Sequence, residues 1–314
     1  MNNLFKNKTF YIYLSVVFFN AAIDIGHKIL LQSSIYKVYA NQGHTLQIMS
    51  AILNMLLLLP FILVFSPAGF MSDRFAKVKV LRITAACAIP ITTLLTFCYY
   101  EGWFLTSYLL TFALSAQAAF NSPAKYGYIK ETFGQENLAQ ANASTQTTVI
   151  LGILISSLLF STAFHFLVDS QIPPTDKISA QQVLQHFAPS GFVLIGLSIC
   201  ETLLTFALPH KPAAEPESQY NLIQDLKGKY ARIYISHILK DKIILSCVIG
   251  LSLFWGINQL ILAESPAYLA TIVGQGNTLP TGITAGVGGI GILFGALYSG
   301  KISKGFIETG IIPV

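Results

Sequence analysis

Four polar residues interrupt the first long apolar stretch of the sequence: Asn20, Asp24, His27 and Lys28. They stand at i, i+4, i+7 and i+8, which is one face of an α-helix. Asp24 precedes Lys28 by four residues, the favourable order for a helical ion pair. An ionisable side chain at bilayer depth costs at least ~2.5–3.5 kcal/mol on insertion scales, so such residues mark a function by default. Two readings stand open. In one, the face lines a central cavity, Lys28 attracts a phosphate, and Asp24 holds Lys28 while the site is empty. In the other, the two charges form a self-neutralised structural pair, or Lys28 snorkels to the interface.

Further along, Gln117 and Asn121 are four apart, and Lys125 follows one turn later, beyond Pro123. Asn54 stands alone in a second apolar run. Together with Asn20, Asp24 and Lys28 these make the candidate binding set. Amides at this depth also serve as plain interhelical hydrogen bonds worth ~0.6 kcal/mol, and Asn142 and Gln146 read that way. Glu201 lies in the middle of a later run and Glu264 at the end of another. No catalytic constellation emerges. Acyl transfer to a hydroxyl needs a His base and an Asp with four residues between them, but His165–Asp169 and His237–Asp241 have only three. There is no phosphate-binding glycine loop. The four cysteines, Cys87, Cys98, Cys200 and Cys247, lie in apolar runs without metal-ligand spacing, so no metal or cofactor is expected.

The elements that position these residues are legible from composition. Hydrophobic residues make up 53% of the chain, charged residues 11%, and the mean hydropathy is +0.60. A soluble domain is about 25% charged, so the solvent is lipid. Eight apolar runs are long enough for the roughly 20-residue requirement of a bilayer-spanning helix: about 10–35, 46–71, 80–99, 103–121, 139–167, 190–208, 243–264 and 281–300. A ninth begins near Thr309. The runs are continuous and lack period-two alternation, which excludes a barrel. With the N-terminus placed in the cytoplasm, 16 of the 19 Lys and Arg residues fall on inside segments. Lys37 and Lys177 fall outside. The net charge of +5 forms no basic face, so nucleic acid is excluded as a partner.

Residues 209–242 are polar and divide six runs from the rest. Leu222, Ile223, Leu226, Tyr230, Ile233, Tyr234 and Ile238 recur at helical spacing there, the pattern of an interfacial amphipathic helix. A plain solvated linker is the alternative. The expected organisation is therefore a six-helix bundle over 1–208, a cytoplasmic central loop over 209–242, and the truncated start of a second bundle over 243–314.

Between the second and third runs the chain reads Gly69-Phe-Met-Ser-Asp73-Arg74-Phe-Ala76-Lys77-Val-Lys79. This resembles the signature loop of the major facilitator superfamily, with Ala76 where that loop usually has Gly. The resemblance implies a conformational switch formed by Gly69, Asp73, Arg74 and Lys77, with the small residue allowing close helix approach. A finer likeness, to the lysophospholipid transporter branch, is carried by Leu59-Pro60-Phe61 through Phe65-Ser66-Pro67-Ala68-Gly69 and by Asn121-Ser122-Pro123-Ala124-Lys125-Tyr126-Gly127. Glu131, Asn137-Leu138, Ala141-Asn142 and Gly300-Lys301-Ile-Ser303-Lys304-Gly305 support it. That branch includes fusions to an acyltransferase and an acyl-carrier-protein synthetase, neither of which is present in this chain. The resemblance implies an all-α major facilitator-type bundle in a bacterial inner membrane. It also implies a lysophospholipid substrate, an acidic first-helix position at Asp24, and a cytoplasmic acyltransferase/acyl-ACP synthetase as a possible partner. An exporter of small hydrophobic compounds and a non-transporting membrane scaffold are the competing expectations.

Overall fold

The computed structural model describes residues 3–172, 178–217, 224–225 and 228–273, with single positions at 291, 294–295 and 298. The described residues are helical, without strands. Helix α1 spans Lys8–Tyr39 and is capped by Asn7, whose side chain accepts from the Thr9 N–H. Helices α2 (Gly43–Leu63) and α3 (Phe65–Arg74) share one apolar run but are broken at Val64. The break has a local cause: Pro67 has no N–H to return to the Leu63 carbonyl. Helix α4 is Lys77–Glu101, α5 Phe104–Phe133 and α6 Leu138–Phe164. Helix α4 ends on Gly102 with φ of 70°, the left-handed conformation that glycine adopts without a Cβ penalty. A π-turn, His165–Asp169, continues α6.

Helices α7 (Ala180–Phe187) and α8 (Ser190–Phe206) meet at 55° across Pro189. Among the described residues, four helical stretches are long and apolar enough to cross a membrane: Lys8–Tyr39, Gly43–Leu63, Lys77–Glu101 and Gln135–Asp169. The bent α7–α8 pair makes a fifth. Helix α5 is longer than the 103–121 run that announced it, because it continues through Pro123 to Phe133. That extension carries Lys125, Lys130 and Glu131. It is held in place by Tyr128, Ile129 and Phe133, which pack on Phe10 and Tyr13 of α1.

Helix α1 runs through the middle of the bundle, packed closest on α6 and α8 and touching α2 and α5 as well. Helix α4 lies between α5 and α8, and α2 and α3 lie against α5. The core follows α1 from the Phe10–Tyr13–Val17 end, past Ile23 and Leu30 against Tyr99, Phe160 and Phe187, to Leu31 and Ile35 against Leu53 and Tyr108. Where α6 crosses α1, a Cβ on Gly152 would stand 2.9 Å from the Phe18 carbonyl oxygen, so only glycine permits that approach. Leu58, Ile62, Leu105, Leu109, Leu158 and Leu203 point outward, as a lipid-facing surface requires.

Beyond α8, Glu215 donates its N–H to the Asp73 carbonyl at 2.9 Å, tying the central segment to the end of α3. Helix α9, Lys229–Lys240, realises the amphipathic helix over part of its expected length. Its Tyr234 stands edge-on to Phe65 of α3, with ring centroids 5.9 Å apart. Asp241 then caps α10 (Lys242–Val273), accepting from the N–H groups of Ile243 and Ile244. Except for the single positions, the eighth run and the start of the ninth lie outside the described residues.

Candidate functional site

Three helices converge on one polar space. Helix α1 contributes Asn20, buried, and Asp24, half-buried; Lys28, half-buried as well, stands one turn beyond Asp24. Helix α5 contributes Lys125, also half-buried, whose ammonium lies 5.2 Å from the Tyr126 ring centroid. The Lys125 carbonyl accepts from Tyr13 of α1 at 3.2 Å, which fixes this turn of α5 against α1. Helix α8 contributes Glu201, which is 0% exposed. Asp24, Lys125 and Glu201 act on one another electrostatically. They do so without contact, since no ion pair within 4.0 Å joins them among the described residues.

The expected Asp24–Lys28 pair is not closed either. Helical spacing places the two side chains on one face, but the opposite charge acting on Asp24 is that of Lys125 across the space. An i,i+4 pair contributes only ~0.2–0.5 kcal/mol, too little to hold two side chains together against the rest of their surroundings. His27 also departs from the expected polar face. It is fully buried, with Nδ1 2.6 Å from the Tyr99 hydroxyl and Nε2 2.8 Å from Thr111 Oγ1, and so bridges α1, α4 and α5.

The remaining candidates divide. Gln117 donates to the Thr84 carbonyl of α4 at 2.9 Å, and Asn54 donates to the Ser50 carbonyl one turn back on α2 at 2.9 Å. Both amides are thereby engaged in helix contacts. Asn121 is buried one turn before Lys125, with its Oδ1 lacking a hydrogen-bond partner. Glu201 lies outside the candidate set; its signal is an acidic residue in mid-run, and it is tertiary packing that turns α8 to bring it toward Asp24.

The second constellation sits at the α3–α4 turn. Lys77 is 4% exposed; its ammonium donates to the Ser72 carbonyl and to Asp73 Oδ1 at 3.1 Å, and lies 3.4 Å from Glu131 Oε1 of α5. Lys77 therefore joins α3 to α5. Arg74 lies over the rings of Phe70 and Phe75, with its guanidinium 5.7 and 5.9 Å from their centroids. The glycine this arrangement needs is Gly127, where a Cβ would stand 2.7 Å from Lys77 Cε. A Cβ on Gly69 would meet nothing within 4 Å, so the close approach expected there is not made among the described residues.

The chain matches the family model of the Major Facilitator Superfamily over residues 10–312. It is also similar to the lysophospholipid transporter LplT of Serratia proteamaculans, with 25% identity over 261 residues. That alignment covers 83% of this chain and 57% of the relative, so the chain spans little more than half the relative's length.

Proposed function

This chain belongs to the Major Facilitator Superfamily, and we propose that it moves lysophospholipid across the bacterial cytoplasmic membrane toward a reacylating acyltransferase on the inner face. The observation that carries this reading is Lys125, a half-buried cation on α5 that faces Asp24 of α1 and Glu201 of α8 without an ion-pair partner within 4.0 Å among the described residues, with half-buried Lys28 one turn beyond Asp24. A one-chain lipid offers an anionic phosphate to such cations and an apolar tail to the surrounding side chains. Ile25 and Ile29 flank Asp24 and Lys28 on α1. The likeness to a lysophospholipid transporter supports the choice of substrate. In this reading Asn20, Asp24, Asn121, Lys28 and Lys125 form the headgroup site. Gln117 and Asn54 hold the helices around it, and Lys77 with Asp73 and Glu131 controls the change of state.

The test is uptake of fluorescent lysophosphatidylethanolamine by proteoliposomes containing the chain, with dye extraction from the outer leaflet. Saturable, protein-dependent protection of the lipid is expected. Protection equal to that of protein-free vesicles, together with uptake of small hydrophobic cations, would instead favour an exporter. Protection of neither would leave a membrane scaffold.

A further inference from the structure

Helix α9 carries a constellation that this reading does not employ. It starts after Gly228, whose φ of 71° turns the chain sharply, and ends at Asp241, an extended residue that makes the corner into the apolar helix α10. One side of α9 rests on the bundle, where Tyr234 meets Phe65 of α3. The carboxylates of Asp73, Glu215 and Asp225 act on Tyr234 from that side. Nearly opposite Tyr234, Arg232, Ser236 and Lys240 recur at four-residue intervals and form one stripe along the helix. Ala231, Ile235 and Leu239 form the neighbouring stripe, with Ile235 and Leu239 53% and 61% exposed. The two stripes line an open groove of about 510 Å³. Its polar edge is uncompensated. Residues 228–240 include no acidic residue. Among the described residues, the side chains of Arg232, Ser236 and Lys240 make no hydrogen bond or ion pair. The next acid, Asp241, is engaged by the N–H groups of Ile243 and Ile244.

We propose that this groove binds one anionic phospholipid of the surrounding leaflet, separate from any lipid the chain transports. Its phosphate lies on the Arg232–Ser236–Lys240 stripe and an acyl chain runs along Ala231, Ile235 and Leu239. Arg232 and Lys240 stand about 12 Å apart along the axis, eight residues at 1.5 Å each. Their long side chains converge on Ser236, which lies midway and offers a hydroxyl donor. Basic residues on an amphipathic helix attract anionic headgroups. A zwitterionic headgroup brings its own ammonium to the same two cations and gains less. A soluble phosphate would satisfy the cations but leave Ile235 and Leu239 in water; a lipid chain covers them. The corner at Asp241 puts the groove where α10 enters the apolar phase, so headgroup and chain are both within its reach. The site lies on α9, apart from the polar space between α1, α5 and α8, and does not depend on which substrate that space takes.

Two measurements on the whole purified chain test this. Native mass spectrometry counts lipids retained in mild detergent. The wild-type chain is expected to hold phosphatidylglycerol about tenfold more tightly than phosphatidylcholine at one site, and Arg232→Gln with Lys240→Gln to lose that preference. Both residues are exposed, so the double variant keeps the fold. Glycerol 3-phosphate, the anion without a tail, is expected to leave bound phosphatidylglycerol in place; displacement at equal concentration overturns the lipid and leaves a phosphate site. The second measurement follows the apolar stripe. Leu239→Cys, with Cys87, Cys98, Cys200 and Cys247 replaced by Ser, carries a fluorophore in vesicles. Quenching by brominated phosphatidylglycerol that exceeds quenching by brominated phosphatidylcholine is expected. A label shielded from both lipids shows protein on this face and overturns the proposal. Equal retention of the two lipids by the wild-type chain overturns it too, whatever the uptake assay gives for lysophospholipid.

Discussion

Lys125 is fixed at its backbone and free at its head: its carbonyl is bonded to Tyr13, while its ammonium lies over the Tyr126 ring and faces Asp24. A cation held this way is ready to meet a phosphate. Lys125→Ala should lower lysophospholipid uptake by about tenfold or more, which corresponds to ~1.4 kcal/mol or more of binding free energy. Lys125→Arg should retain part, since the charge survives while the donor geometry changes. Asp24→Asn combined with Lys125→Gln removes both charges at similar volume. A structural role predicts near-normal uptake for that pair, because removing both partners is milder than removing one; a substrate role predicts loss as severe as in Lys125→Ala. Uptake by proteoliposomes at matched protein content decides between them. At this scale residue identities were legible, since Asp24, Lys28 and Lys125 stand out against apolar neighbours. Their partners were not, because helical spacing reports a shared face but not what lies opposite. His27 shares the spacing of the polar face, yet packs between Tyr99 and Thr111.

The elements carry two devices that act through single side chains. Lys77 joins α3 to α5 through Asp73 and Glu131, and Gly127 leaves room for its side chain. Gly127→Ala should push the Lys77 stem away from Glu131 and loosen that joint. The expected result is a several-fold change in transport rate with little change in equilibrium binding of substrate, read by comparing uptake rate with nanodisc affinity. A large loss of affinity at unchanged rate would speak against a switching role. Arg82 caps the end of α8 through three carbonyls, satisfying acceptors that a helix C-terminus leaves open. Arg82→Ala should destabilise the bundle by roughly 2–3 kcal/mol, given ~1.5–3 kcal/mol for a hydrogen bond to a charged group. Thermal unfolding in nanodiscs measures this, with Arg82→Lys recovering part. The break at Val64 could be read locally, from Pro67. The length of α5 could not, since its last turns are polar and are held by Tyr128 and Phe133 packing on α1.

For the whole molecule, we propose on the Lys and Arg asymmetry that the α3–α4 turn, α9 and the N-terminus face the cytoplasm and the Lys37–Asp169 ion pair faces outside. In intact cells a cysteine introduced at Gln171 should react with an impermeant thiol reagent, and one at Glu215 should not, in a background where Cys87, Cys98, Cys200 and Cys247 are replaced by Ser; the reverse pattern would invert the topology. The Lys37–Asp169 contact, 3.1 Å and almost wholly buried, ties the end of α1 to the π-turn after α6. Uninterrupted apolar runs of sufficient length determine by themselves that this chain is a helical membrane protein, because lipid leaves no other way to satisfy the backbone. The Gly69-to-Lys77 spacing likewise carried the likeness to the superfamily. Only the tertiary structure decided which charges meet. Asp24 faces Lys125 rather than pairing with Lys28, and Glu201 joins them from α8. The physical reason is that hydropathy and helical period are properties of a chain's neighbours in sequence. The partner of a buried charge is set by how the helices rotate against each other, and that rotation is fixed by packing contacts such as Gly152 on Phe18 and Tyr128 on Tyr13.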